Sequence, residues 1–358
     1  MTKLLTLLFI AVLSIAVFSQ EMHFSQYNEN PALLNPALTG VANTLRASLS
    51  YREQWRSLGT PYKTSGVSFE TRLNNSSWKQ IDRFRSMTFK ERGMGLLAWG
   101  VSVYNDKAGP GGLSLTNANL NLASFIPISK KSFLSLGVQG GISQRRIENG
   151  RLIFPDQYTD SGYSPDLNSD EKFSNLNYAY SDFATGFLWS YNKQQKRIAN
   201  HTELRSNLGF SIYHLLRPKQ DFLYSGNRIY RKYVVHGDFL YEPANFNVAI
   251  VPSFQGQFIG STVEATAGLT VKYYVNDNAH YTGIVKRTCI GFGIYGRRKD
   301  AVIPCFLLEL KEQYVFGFSY DVNLSSLSPS SMGRGAFEIT LRYTPSAPFL
   351  YEERKTND

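Results

Sequence analysis

Strict apolar–polar alternation, repeated along most of the chain, narrows what this sequence can fold into more than any other feature. Leu45, Ala47, Leu49 and Tyr51 share one face of a segment whose other face carries Arg46, Ser48, Ser50 and Arg52. A period of two marks a β-strand, because successive side chains leave opposite faces. The stretch before it, from Phe24 on, is polar and holds Pro31 and Pro36. Each proline lacks an N–H and restricts its predecessor, so no long helix forms there. Gly40 then breaks the chain.

The same alternation recurs over about 62–73, 93–105, 113–126, 133–146, 179–191, 204–214, 232–241, 246–255, 262–275, 288–296, 302–310, 314–322 and 336–343. With the first segment this makes about 14 strands and no convincing helix. Nearly every strand keeps one polar face, which a soluble sandwich would have to bury in its core. A transmembrane barrel needs the reverse: apolar side chains towards lipid, polar ones inside, and all backbone groups paired by closure. Strand length also suits a tilted bilayer crossing. The expected fold is therefore all-β, a transmembrane antiparallel β-barrel of about 14 strands behind an N-terminal leader.

Composition agrees. The chain has 28 Gly and 22 Tyr among 358 residues, with 14% aromatics and only 18% charged residues. Beyond the N-terminus no stretch nears the 20 apolar residues of a spanning helix. The net charge of +10 is spread along the chain rather than clustered, which argues against nucleic acid as a partner.

Residues 1–19 read as a signal peptide: Lys3, an apolar run from Leu4 to Phe18, then cleavage near Ser19–Gln20. The expected division is a periplasmic or lumenal leader over 20–44, an outer-membrane barrel over 45–345 and a periplasmic tail over 346–358. With the leader on the periplasmic side, parity puts the long connections near 148–178 and 215–231 outside. The short turns near 127–132, 242–245 and 311–313 fall inside, as in bacterial barrels. A long connection over 74–92 breaks this rule, and a short helix is expected around Trp78–Phe84.

Alternation points nine charged side chains into the lumen: Arg46, Arg52, Glu70, Arg72, Arg145, Glu264, Lys272, Glu338 and Arg342. They form a salt-bridged interior or line an aqueous path; the interior network is the favoured reading. Aromatic residues in the two long loops offer contact area at low entropic cost, which suits a protein partner. They are Phe154, Tyr158, Tyr163, Phe173, Tyr178, Phe222, Tyr224 and Tyr230. Cys289 and Cys305 face each other if their hairpin turns at Arg297, and an oxidising compartment would then favour a disulfide. A one-residue slip in register would remove it.

No motif calls for a cofactor or a metal. Gly291-Phe-Gly293-Ile-Tyr-Gly296 lies within a strand, not before a helix, so it is not a nucleotide loop. Asp166-Leu-Asn168-Ser-Asp170 lacks the Gly and the closing Glu of a calcium loop. The five histidines are dispersed, and none accompanies a nucleophile motif. The chain reads as a non-enzyme.

The two ends carry a family resemblance. FSQYNENPALLNPALTGV followed by SYREQW, and later KDAVIPCFLLEL, FGFSYDVNLSSLS and GRGAFEITLRY, resemble the PorP/SprF outer-membrane proteins of the type IX secretion system in Bacteroidetes. Ala37-Leu-Thr-Gly40 departs from the family's usual aromatic and Ala before Gly, and the tail runs past Tyr343. The resemblance implies a FadL-like barrel in the cell outer membrane that acts with type IX secretion. It implies as partner the C-terminal domain of a large secreted adhesin, anchored at the surface, with other secretion components nearby and a link to gliding motility. The rival reading is a FadL-like diffusion channel for a hydrophobic or small polar solute. The lumen decides: exposed Asn117, Asn119 and Asn121 along an open path favour transport, whereas a lumen plugged by the Phe24–Asn35 leader favours a receptor.

Overall fold

The computed structural model describes residues 22–42, 45–56, 61–73, 96–109, 111–129, 131–148, 155–159, 162–164, 167, 177–196, 201–219, 228–244, 246–275, 287–325, 328 and 333–345. The alternating segments become β1 (Leu45–Gln54), β2 (Tyr62–Arg72), β3 (Leu96–Ala108), β4 (Leu113–Pro127) and β5 (Ser132–Arg146). A small hairpin, β6 (Tyr158–Thr159) and β7 (Gly162–Tyr163), lies in the next connection. The wall continues with β8 (Asn177–Lys196), β9 (His201–Tyr213), β10 (Lys232–Glu242), β11 (Val248–Ile259) and β12 (Thr262–Tyr274). It ends with β13 (Cys289–Arg297), β14 (Ala301–Leu310), β15 (Tyr314–Asn323) and β16 (Arg334–Tyr343).

Apart from the β6–β7 hairpin, these strands form one closed antiparallel barrel in which each wall strand pairs with its sequence neighbours. The circle shuts where β1 meets β16, from Ala47 opposite Tyr343 to Gln54 opposite Ala336. Closure leaves no sheet edge, which a bilayer requires. We call the end where Leu45 starts and Tyr343 finishes the near end. The far end carries the connections at 147–176 and 214–231.

The two faces differ as the alternation requires. On β5, Leu136, Val138 and Ile142 are exposed, while Ser135, Gln139 and Ser143 are buried inward. On β1, Leu49 is exposed, while Arg46, Ser48, Ser50 and Arg52 are buried inward. Apolar side chains thus sit outside and polar ones inside, the inverse of a soluble core.

Three expectations change. β3 runs past Asn105 to Ala108, because its polar end stays in the ladder: Asp106 lies opposite Thr64 and accepts from its hydroxyl at 2.6 Å. β8 takes in Tyr178, which is therefore a half-buried wall residue with its ring 6.1 Å from that of Tyr180 and not a loop contact. Cys289 and Cys305 are free thiols. Their hairpin turns over 298–300 instead of at Arg297, so Cys289 faces Glu309 and Cys305 faces Gly293. Four strand residues now separate the two along the barrel, roughly 13 Å at strand rise, beyond the reach of a disulfide. The expected helix around Trp78–Phe84 lies outside the described residues, as do residues 1–21 and the tail over 346–358.

A charge placed mid-wall on the outer face tests the assignment. Val138→Arg should destabilise the barrel in lipid by about 2–4 kcal/mol, read from denaturant unfolding in vesicles. Wild-type stability of that variant would contradict a lipid-facing Val138.

Candidate functional site: the lumen and its leader

The leader does not hang below the barrel. Residues 22–42 lie inside it as a chain of short turns: a 3-10 turn at Tyr27–Glu29, one α-turn at Pro31–Leu34 and a second 3-10 turn at Pro36–Leu38. The prolines fit because each of the last two turns starts on one, where the missing N–H costs nothing. Most leader residues are buried, Asn35 and Ala37 completely. Such a segment cannot pair its backbone as a strand or long helix does, so the wall must supply partners.

Towards the far end, the wall grips Ser25. Its N–H donates to Glu338 Oε2 at 2.6 Å and its hydroxyl to Asp321 Oδ1 at 2.7 Å. Arg52 and Arg297 both donate to the same hydroxyl, at 2.8 and 2.7 Å, and both pair with Asp321, at 2.9 and 3.0 Å. Gln26 N–H donates to the other oxygen of Glu338 at 2.9 Å. Two cations and two carboxylates thus meet around one serine, each charge opposed by another, as burial demands.

In the middle, glycines make room. Gly137 and Gly186 face each other across β5 and β8, and Gly209 follows on β9. A Cβ on Gly137 would collide with the Pro36–Ala37 backbone, and one on Gly186 with the Asn35 amide. Asn35 uses this space. Its Nδ2 donates to the carbonyls of Phe187 and Phe210, at 3.0 and 3.3 Å, and lies 3.0 Å from His236 Nε2. Its Oδ1 caps the following turn by accepting from Ala37 N–H at 2.9 Å. Ser211, Tyr213 and Ser135 donate their hydroxyls to the carbonyls of Leu34, Ala32 and Ala37.

At the near end, Glu29 sits between Arg342 and Arg46, 2.8 and 3.3 Å from their guanidinium nitrogens. Burial pushes the Glu29 carboxyl up, but Arg342 and then Arg46 outweigh it and hold the group below the usual carboxylate range. Gly40 then turns the chain out with φ +70°, a left-handed value that favours glycine. Its N–H donates to Glu70 at 3.1 Å and its carbonyl accepts from Arg72 at 2.6 Å.

Seven of the nine expected lumen charges contact the leader: Arg46, Arg52, Glu70, Arg72, Glu338 and Arg342 as above, and Glu264 through His23 at 3.9 Å. Lys272 pairs instead with Glu309, and Arg145 is half-buried on the inward side of β5. Asn121 is buried, and Asn117 and Asn119 are half-buried. Sequence reasoning missed Asp321, Arg297, Glu29 and Asn35. The inward parity of Arg297 and Asp321 was readable, but their meeting on Ser25 depends on barrel closure. Among the loop aromatics, Tyr158 and Tyr230 are exposed, and Arg217 lies 5.9 Å from the Tyr230 ring centre. Tyr163 pairs with Tyr158 through the β6–β7 backbone. Phe154, Phe173, Phe222 and Tyr224 lie outside the described residues. Among the described residues, no three His, Cys, Asp or Glu side chains gather as a metal site.

A family profile described as "Type IX secretion system membrane protein PorP/SprF" matches residues 16–343. No curated protein matches the chain. Among solved structures, the chain is similar to the toluene transporter TodX of P. putida at 9% identity and TM-score 0.38, covering 87% of this chain and 91% of that one. It is also similar to a BamA from Haemophilus ducreyi lacking POTRA domains 1-3, at 10% identity and TM-score 0.40, covering 84% and 70%. A third is the β domain of the Bordetella autotransporter BrkA, at 9% identity and TM-score 0.36, covering 84% and 98%.

Two measurements test the leader's seat. Glu29→Gln leaves Arg46 and Arg342 short of a counter-charge and should cost about 3 kcal/mol, seen as a lower unfolding temperature of the purified barrel; an unchanged midpoint would contradict the near-end latch. A carboxyl held below its ordinary range stabilises at neutral pH and loses that contribution only as pH falls through its lowered value. Protection of the leader from protease should therefore be weaker in Glu29→Gln than in wild type at neutral pH, with the gap closing only as pH falls below the usual carboxylate range. A gap that stays the same at every pH would refute the assignment.

Proposed function

The chain belongs to the PorP/SprF family of type IX secretion system membrane proteins, and from that premise we propose that it is a receptor barrel, closed within and exposing its contact surface at the far end. Its partner is the C-terminal domain of a protein exported by type IX secretion, held at the cell surface after export. The observation that carries this reading is the leader in the lumen. A diffusion channel needs a continuous path, whereas here the turns from Ser25 to Gly40 lie across the barrel, bonded to strands from β1 round to β16. The lumen amides that would line such a path are buried or half-buried.

The far end suits the outside. It carries the connection over 147–176 and the one over 214–231, as extracellular ends of bacterial barrels do, although the connection over 73–95 leaves from the near end. Tyr158 and Tyr230 stand exposed there as rigid, amphipathic contacts of the kind that anchor protein interfaces. A role in anchoring an adhesin, with gliding motility downstream, follows from the family resemblance and from no residue of this chain.

Affinity purification from gently solubilised outer membrane should recover one large secreted protein. Changing Tyr158→Ala and Tyr230→Ala together should weaken that capture by about ten- to a hundredfold with the barrel's unfolding temperature unchanged. Wild-type capture by the double variant would clear these loops of the role, and recovery of no secreted protein at all would sink the receptor reading.

A further inference from the structure

The direction in which the leader threads the barrel has a consequence for the docking surface. Leu45 begins β1 at the near end, so the simplest expectation is a leader that approaches from that side. Its contacts run the other way. Met22 packs with Phe24 against Tyr104, and with Leu115, near the far ends of β3 and β4. His23 meets Glu264, third residue of β12, just past the turn at 260–261. Ser25 meets Arg297, last residue of β13, and Asp321, near the far end of β15. Downstream, Glu29 has already reached Arg46 and Arg342 at the near end. The chain then rises to Asn35 at mid-wall and returns past Gly40 to Leu45.

We infer that the leader enters the barrel from the far mouth, with Met22 and His23 seated just inside it, so that a partner docked on that mouth meets the chain at its point of entry. Four strands meet on this end of the leader: β1 through Arg52, β13 through Arg297, β15 through Asp321 and β16 through Glu338. Phe24 adds a ring contact to Tyr104 at 6.2 Å between centres. A buried cluster of this kind fixes position, because removing one charge strands its partner. The leader is then more than a stopper. Its start lies just beneath the docking face, with Met22 and Phe24 buried, and its other end is tied through Glu29, so partner contact at the mouth and leader seating share one chain. This inference rests on the receptor reading for the partner and for which mouth faces outwards, but the threading direction stands on the contacts alone.

Epitope insertion in the full-length chain tests it. One tag goes between Glu21 and Met22, a second in the β5–β8 connection after Asn168, and a third after Asp358, each in a separate strain. The leader tag should bind antibody under the same conditions as the connection tag, on intact cells, while the C-terminal tag binds only after permeabilisation. A leader tag that follows the C-terminal tag overturns the threading direction. If the connection tag itself needs permeabilisation, the outward orientation fails, and the leader inference is still judged by which tag it follows. His23→Cys, read with a membrane-impermeant maleimide against wild type as the blank, covers a tag that disturbs folding. It should react from the connection-tag side, and reaction only from the other side, or none from either, overturns the inference. In cells making the secreted partner, antibody access to the leader tag should drop severalfold and recover when the partner is deleted; unchanged access refutes the contact.

Discussion

Closure of the wall between β1 and β16 is the constraint on which everything else depends. A bilayer offers no water to an unpaired N–H or C=O, so a sheet in it must have no edge. The ladder from Ala47–Tyr343 to Gln54–Ala336 removes the last edge, joining residues nearly 300 apart in sequence. It also brings Arg52 of β1 beside Glu338 of β16, and Arg46 within reach of Glu29 together with Arg342. The charges that hold the leader exist as clusters only because the circle is shut.

Closure then creates a second demand. A barrel with polar residues inside must either admit water or fill the space with partners. Here filling wins. The leader brings backbone groups, Asn35 and Glu29, and the wall answers with hydroxyls, guanidinium groups and a belt of glycines. Buried ion pairs seldom add net stability, since desolvation offsets their attraction. Their effect is to make any other seat for the leader costly. A shifted leader would strand Arg52, Arg297 or Glu29 without its opposite charge. The arrangement therefore specifies position more than it adds strength.

Much of this was legible in the residues. Period-two alternation located all 14 wall strands, and inward parity placed Arg46, Arg52 and Arg342. What escaped depends on distances that a linear pattern does not carry. The turn of the β13–β14 hairpin lies past Arg297, because Arg297 stays in the ladder opposite Ala301; that shift separates the cysteines. Tyr178 looked like loop because its neighbours are polar, yet Arg145 pairs with it across β5 and β8. The leader's prolines and glycine were visible, but not its path. That path follows from where Gly137, Gly186 and Gly209 leave space, and these lie on three strands that become neighbours only in the fold.

The central claim is that the leader closes the lumen. Ion current through the purified full-length protein in a planar bilayer tests it most directly. A seated leader predicts no steady conductance from the full chain and a steady open current once residues 22–41 are deleted. A steady current through the intact chain, equal to that of the deletion, would contradict a plugged barrel and favour a channel.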